Sequence, residues 1–172
     1  MLRDCNQDHL PIILVSDASV QKNKQSSFAW VITCHETILW KGVGLAPGHH
    51  EDIYSGRAEA FGVLAALLFL QHYIKSYEPT QFTDSPLTCY CDNAGVINNV
   101  NDLLSIKITR PNDSTNDDRD VYLAISDAIL KCCPLTTQLC HVKGHQDRDP
   151  KRKLTLPEQL NIDCDQQAKQ HA

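Results

Sequence analysis

Two rhythms of apolar and polar positions alternate along the chain. Ile12 to Val15 is an unbroken apolar run, as expected of a strand buried on both faces, and it ends at Ser16-Asp17. A polar loop, Gln21 to Ser26, leads to two β-branched and aromatic segments, Phe28–Cys34 and Thr37–Leu45. The turn His35-Glu36 between them predicts a hairpin. Pro47-Gly48-His49-His50 breaks the pattern. The rhythm then becomes helical: Ser55 is read as an N-cap, and the helix continues through Ile74, apolar nearly all round between Ala58 and Leu70, which predicts a core helix. Pro79 and Pro86 bracket a loop. Leu87–Cys91 predicts a short strand ending at Asp92, Ala94–Leu104 and Val121–Cys132 predict helices, Leu135–Val142 a last strand and Pro157–Lys169 a last helix. A hairpin followed by alternating strands and helices gives an α/β fold, with helices flanking a mixed sheet of five strands.

Length and composition narrow the class. The 172 residues, 42% hydrophobic and 22% charged, suit one well-packed domain spanning residues 1–172, with residues 1–10 as a short N-terminal extension. The longest apolar stretch, Phe61 to Leu70, is too short to span a bilayer, and MLRDCNQDHL lacks the order of a secretory signal. No membrane partner and an intracellular location, cytoplasm or nucleus, are expected. The cysteines at 5, 34, 89, 91, 132, 133, 140 and 164 lie mostly in apolar stretches without paired CxxC units, so reduced core thiols are expected rather than zinc. The H-x-x-x-H formed by His141 and His145 has no finger spacing either. The formal charge of −5 is unusual for a nucleic-acid binder, but its distribution is uneven. Asn112–Asp120 holds four acids against one base, whereas His141–Lys153 holds five Lys/Arg against two acids.

Three carboxylates fall where chemistry is found. Asp17 and Asp92 end two strands that, as parallel neighbours, would present both acids at one carboxyl edge of the sheet, where α/β proteins build their sites. Glu59 lies in the first turn of the core helix, where the dipole favours an anion. Singly, each has an ordinary structural reading as a turn former, a cap or a dipole partner. Together, without basic partners, they would repel one another unless a cation neutralised them. Oxygen-only ligands suit a hard ion such as Mg²⁺ or Mn²⁺.

The segments VSDAS (15–19), SGRAEAFGVLAAL (55–67), YCDNAGVI (90–97) and HVKGHQ with NIDCDQQAK (141–146, 161–169) stand in order and together resemble the type I ribonuclease H family. They are most similar to the ribonuclease H domains of retroelement reverse transcriptases. The resemblance covers the chain from about Pro11 to His171 and implies a ribonuclease H-like fold. It also implies a metal-dependent endonuclease that cuts the RNA strand of an RNA–DNA hybrid and leaves a 5′ phosphate. By the same resemblance, Asp17, Glu59, Asp92 and an acid on the final helix would hold two Mg²⁺, with Mn²⁺ able to substitute, about 3.5–4 Å apart. Asp17 would touch both ions, Asp165 the one that activates water, and Glu59 and Asp92 the one that steadies the leaving 3′ oxygen. Asp163 and Asp165 both lie on the final helix. The family spacing, read here as Asn161, Asp165 and Ala168, selects Asp165. His145 matches the family's mobile histidine, for proton handling or product release, with Gly144 as the turn that frees it. Ser19, Ser55 and Lys143 are the candidate substrate contacts, the serines for the 2′-hydroxyl that distinguishes RNA. Ser55 has a competing role as N-cap, and Arg57 is read as structural.

The chain departs from cellular members of that family in two places. Val20 to Ser27 has no glycine, and Ile106 to Asp120 is acidic where a basic handle would stand. Hybrid affinity depends on neutralised phosphates. Lys143, Arg148, Lys151, Arg152 and Lys153 would supply part of that charge, and an upstream reverse transcriptase domain, tethered at high effective concentration, the rest. Two rival readings stand beside this one: another nuclease of the same fold, and a degenerate domain kept as a scaffold or nucleic-acid-binding module.

Overall fold

A computed structural model describes residues 11–21, 25–48, 54–77, 86–105, 117–132, 135–146 and 151–172. Residues 1–10, His49-His50, Pro79, 106–116, Cys133 and Arg148 lie outside them. The strands are β1 (Ile12–Val20), β2 (Ser26–Cys34), β3 (Thr37–Leu45), β4 (Pro86–Cys91) and β5 (Thr136–His141). They form one mixed sheet in the order β3-β2-β1-β4-β5. β1, β2 and β3 pair antiparallel in succession, and β4 joins β1, and β5 joins β4, in parallel. The helices are α1 (Ser55–Tyr77), α2 (Ala94–Ser105), α3 (Arg119–Lys131) and α4 (Leu156–His171).

β1 carries side chains for both layers, as its apolar run predicts. Ile12 and Leu14 enter the large core beneath α1, while Val15 meets Leu160, Cys164 and Ala168 of α4 on the opposite face. α1 lies close to the sheet because Gly62 has no side chain. A Cβ there would stand 3.2 Å from that of Phe28 and 3.3 Å from that of Ser16. On the edge strand β3, Gly42 and Gly44 face Trp30 and Phe28 across the ladder, and each aromatic ring lies over its glycine.

Several boundaries differ from expectation. β1 does not stop at Ser16-Asp17 but continues to Val20, because β2 pairs with it as far as Val20↔Ser26. Ser55 is not the N-cap: the carbonyl of Tyr54 accepts the first helical bond, from the Ala58 N–H, so Ser55 is the first residue inside α1. α4 begins one residue earlier than predicted, behind a capping box in which Glu158 accepts from the Thr155 N–H at 2.8 Å. Cys89, Cys91, Cys132, Cys140 and Cys164 are free thiols, but Cys34 is disulfide-bonded. The expectation of reduced cysteines therefore fails at that one described position. Among the described residues, no helix is long and apolar enough to cross a membrane.

Candidate active site

The parallel pairing of β1 with β4 ends at Ser16↔Cys91. Asp17 follows on β1 and Asp92 stands just past the end of β4, so both stand at the carboxyl edge. Asp17 remains paired with Ala29 of β2, which holds its backbone in the sheet, and it is 6% exposed. Glu59 reaches the same edge from the second turn of α1, not the first as expected, because the helix already begins at Ser55, and it is likewise 6% exposed. Its carboxylate accepts from the Ser55 hydroxyl at 2.6 Å and from the Asn93 side chain, and the Cys91 thiol lies 3.8 Å from its second oxygen. Ligand atoms of Glu59, Cys91 and Asp92 lie within 4.8 Å of one another. α4 brings Asp165 to the cluster from the opposite face.

The electrostatics register this convergence. Burial first, and then the charges of Asp92, Asp165 and Glu59, together push the Asp17 carboxyl up to about 8, against the bond it accepts from the Ala18 N–H. Glu59 is pushed up to about 7 by burial and by Asp92, against the bonds it accepts. Burial raises Asp92 too, opposed by the charges of His145 and His141. Asp165 acts on Asp17, whereas Asp163 is exposed on another side of α4. Asp165 also receives the ammonium of Lys169 at 2.5 Å. Oxygen Oδ1 of Asp92 is buried with no hydrogen-bond partner among the described residues. Crowded, mutually repelling carboxylates with a spare buried oxygen fit a hard divalent cation, which would relieve the repulsion.

The segment after β5 is pinned against this edge. Val142 donates to the Cys91 carbonyl, His141 Nε2 lies 3.1 Å from the Asp92 carbonyl, and Gln146 donates to the Gly144 carbonyl. The expectation that Gly144 frees His145 by its turn is not met, because the left-handed backbone belongs to His145 itself, at φ 53°. Glycine is required at 144 for another reason: a Cβ there would collide with the Asp92 carboxylate. His145 and Lys143 are exposed, as is Ser55, and Ser19 is half-buried two residues beyond Asp17 on the same strand face. Arg152 is bonded to Gln146 and to Glu158 at the start of α4, so its charge is already shared with that helix.

Arg57 is structural, as expected. It bridges to Asp118 at 3.1 Å and Asp120 at 2.8 Å, while the Tyr54 and Tyr122 hydroxyls also bond the buried Asp118. The network ties the start of α1, and so Glu59, to the start of α3. Two further residues at the site emerge only from the structure. Asn93 caps α2 through bonds from Gly95 and Val96 while also bonding Glu59, and its signal in the sequence is an Asn just before a helical run. Cys91 carries no signal beyond its place beside Asp92.

No sequence-family model and no curated protein sequence matches the chain. Solved structures do. RNase H1 of the halophilic archaeon Halobacterium salinarum is 13% identical, with 94% of this chain and 99% of that one covered and a TM-score of 0.59. The solution structure of the prototype foamy virus RNase H domain gives 15% identity, 94% and 93% coverage and a TM-score of 0.56. A foamy viral protease-reverse transcriptase in complex with an RNA/DNA hybrid gives 18% identity and a TM-score of 0.60, over 94% of this chain and 20% of that one. Likeness at such identities establishes the fold, which is ribonuclease H-like.

Proposed function

We propose that this chain is a ribonuclease H, hydrolysing the RNA strand of RNA–DNA hybrids at a centre held by Asp17, Glu59, Asp92 and Asp165. The observation that supports this most is the convergence of these acids from β1, α1, the end of β4 and α4 on one edge of a ribonuclease H-like sheet. Two divalent cations, Mg²⁺ or Mn²⁺, supply when bound the Lewis acidity that phosphodiester hydrolysis needs. The chain's own residues do the rest. Ser55 and Asn93 hold Glu59 turned inward, and Gly144 leaves room for the Asp92 carboxylate. Water adds to phosphorus and the 3′ oxygen departs, giving a 5′ phosphate and a 3′ hydroxyl. His145, at the exposed rim, moves the proton, since an imidazole can take or give one at neutral pH.

Ser19 and Ser55 contact the 2′-hydroxyl and Lys143 a phosphate. Ser55 spends its proton on Glu59 yet keeps acceptor capacity for a 2′-hydroxyl. The weak positive surface supports the further reading that an upstream reverse transcriptase domain shares the grip on the hybrid.

Cleavage of end-labelled hybrid, duplex DNA and duplex RNA, with and without chelator, tests the proposal. RNA cut only in hybrid, only with divalent ion and with 5′-phosphate ends, is expected. Cleavage of DNA would make the chain another nuclease of this fold, and binding without cleavage a degenerate module.

A further inference from the structure

The four acids are not alike in their company. Among the described residues, Asp165 is the one acid of the four that pairs with a flexible lysine, Lys169, one helical turn onward, at 2.5 Å. Such pairs are ordinary on helix surfaces. α3 holds one of equal length between Lys131 and Asp127, but there both side chains are more than half exposed, at 56% and 59%. In α4 the lysine is 55% exposed and its aspartate only 17%. The lysine reaches in from the solvent to a carboxylate that faces Asp17, among acids that repel one another.

We infer that Lys169 is a resident counter-ion of Asp165, which any divalent ion shared by Asp165 and Asp17 must displace. This rests on the reading that the four carboxylates hold two ions. Lys169 Nζ occupies Oδ2 of Asp165, one of the two carboxylate oxygens for which an ion there would compete. The long stem can swing into solvent at little cost, so the ammonium weakens this position without closing it. The centre therefore fills in order: first at Glu59 and Asp92, where no lysine or arginine is bonded among the described residues, and then at Asp165. Lys169 sets the gap between the two affinities.

Titration of Mn²⁺ into the metal-free protein, with free Mn²⁺ followed by electron paramagnetic resonance, tests this independently of cleavage. The weaker class of bound ion should be lost in Asp165→Asn. In Lys169→Met it should tighten on the order of 3–10-fold, with the tighter class nearly unchanged, while Lys169→Arg stays near wild type. A wild type with one class and a Met variant with two is the extreme form of the same result. Unchanged weak binding in Lys169→Met, or equal tightening of both classes, would overturn the inference and leave the two-ion reading intact. Lys169→Met tightening binding equally in the Asp165→Asn background would overturn it too, because the effect would not pass through Asp165. A wild type that binds no Mn²⁺ would bring down both.

Discussion

At the scale of single residues, the carboxylates make opposite demands on stability and on chemistry. Unfolded, Asp17 titrates near its ordinary 3.8; folded and metal-free, it is pushed up to about 8. The folded state thus keeps a proton that the unfolded chain releases, and stability present below about pH 4 is lost as pH rises through 8. Glu59, raised to about 7, works in the same direction. Chelated protein should show a denaturation midpoint that falls across this window. Asp17→Asn should flatten the fall, stabilise the protein near pH 8 and abolish hybrid cleavage. A steeper fall in the variant would contradict the assignment. The choice on α4 is equally open to measurement. Asp163 and Asp165 are two apart, roughly 200° around a helix, so they cannot share one ion. Asp165→Asn should slow hydrolysis in Mg²⁺ by about 100-fold or more, with Asp163→Asn near wild type. A reversed pattern would shift the site by two residues.

At the scale of elements, close approach rather than turn geometry explains the informative glycines. Gly42→Ala would drive a methyl into the indole of Trp30, which is 7% exposed and cannot retreat, and should cost about 1–3 kcal/mol in denaturant unfolding. Gly144→Ala meets the Asp92 carboxylate instead, so its cost should fall on the site. We expect weakened Mn²⁺ binding and cleavage with little change in melting temperature. A large loss of stability there with normal metal binding would count against the close packing of that loop on Asp92. Arg57→Met leaves the buried Asp118 without its guanidinium partner and should destabilise by about 3 kcal/mol. Calorimetry giving no change would mean that the Tyr54 and Tyr122 hydroxyls suffice.

At the scale of the whole molecule, the proposed substrate asks an acidic chain to grip a polyanion. Arg57 is shared between Asp118 and Asp120 at the end of the acidic segment and offsets only part of their charge, and Arg152 is engaged with Glu158. Lys143, Lys151 and Lys153 are exposed and flank the candidate histidine in sequence, where their charge can meet phosphate. Replacing all three by alanine should weaken hybrid binding and reduce the salt slope by about 0.7–0.9 for each phosphate left unneutralised. An unchanged slope would place the grip elsewhere on the surface.

What the sequence determined alone is whatever depends on local rhythm. The all-apolar run at Ile12–Val15 announced a strand covered on both faces, and α1 and α4 cover it. The hairpin, the core helix and the mixed five-stranded sheet were legible from period and turn residues, and the shared edge of Asp17 and Asp92 followed from placing their strands side by side. The structure decided what depends on neighbours distant in sequence. That Glu59 bonds Ser55 and Asn93, that Lys169 occupies Asp165 and that Gly144 makes way for Asp92 cannot be read from spacing, because each is set by how helices and loops lie against the sheet. The extension of β1 to Val20 belongs here as well: its polar end is a strand only because β2 runs beside it in register as far as Ser26. Periodicity records what a segment buries, and only the packed chain records which groups meet.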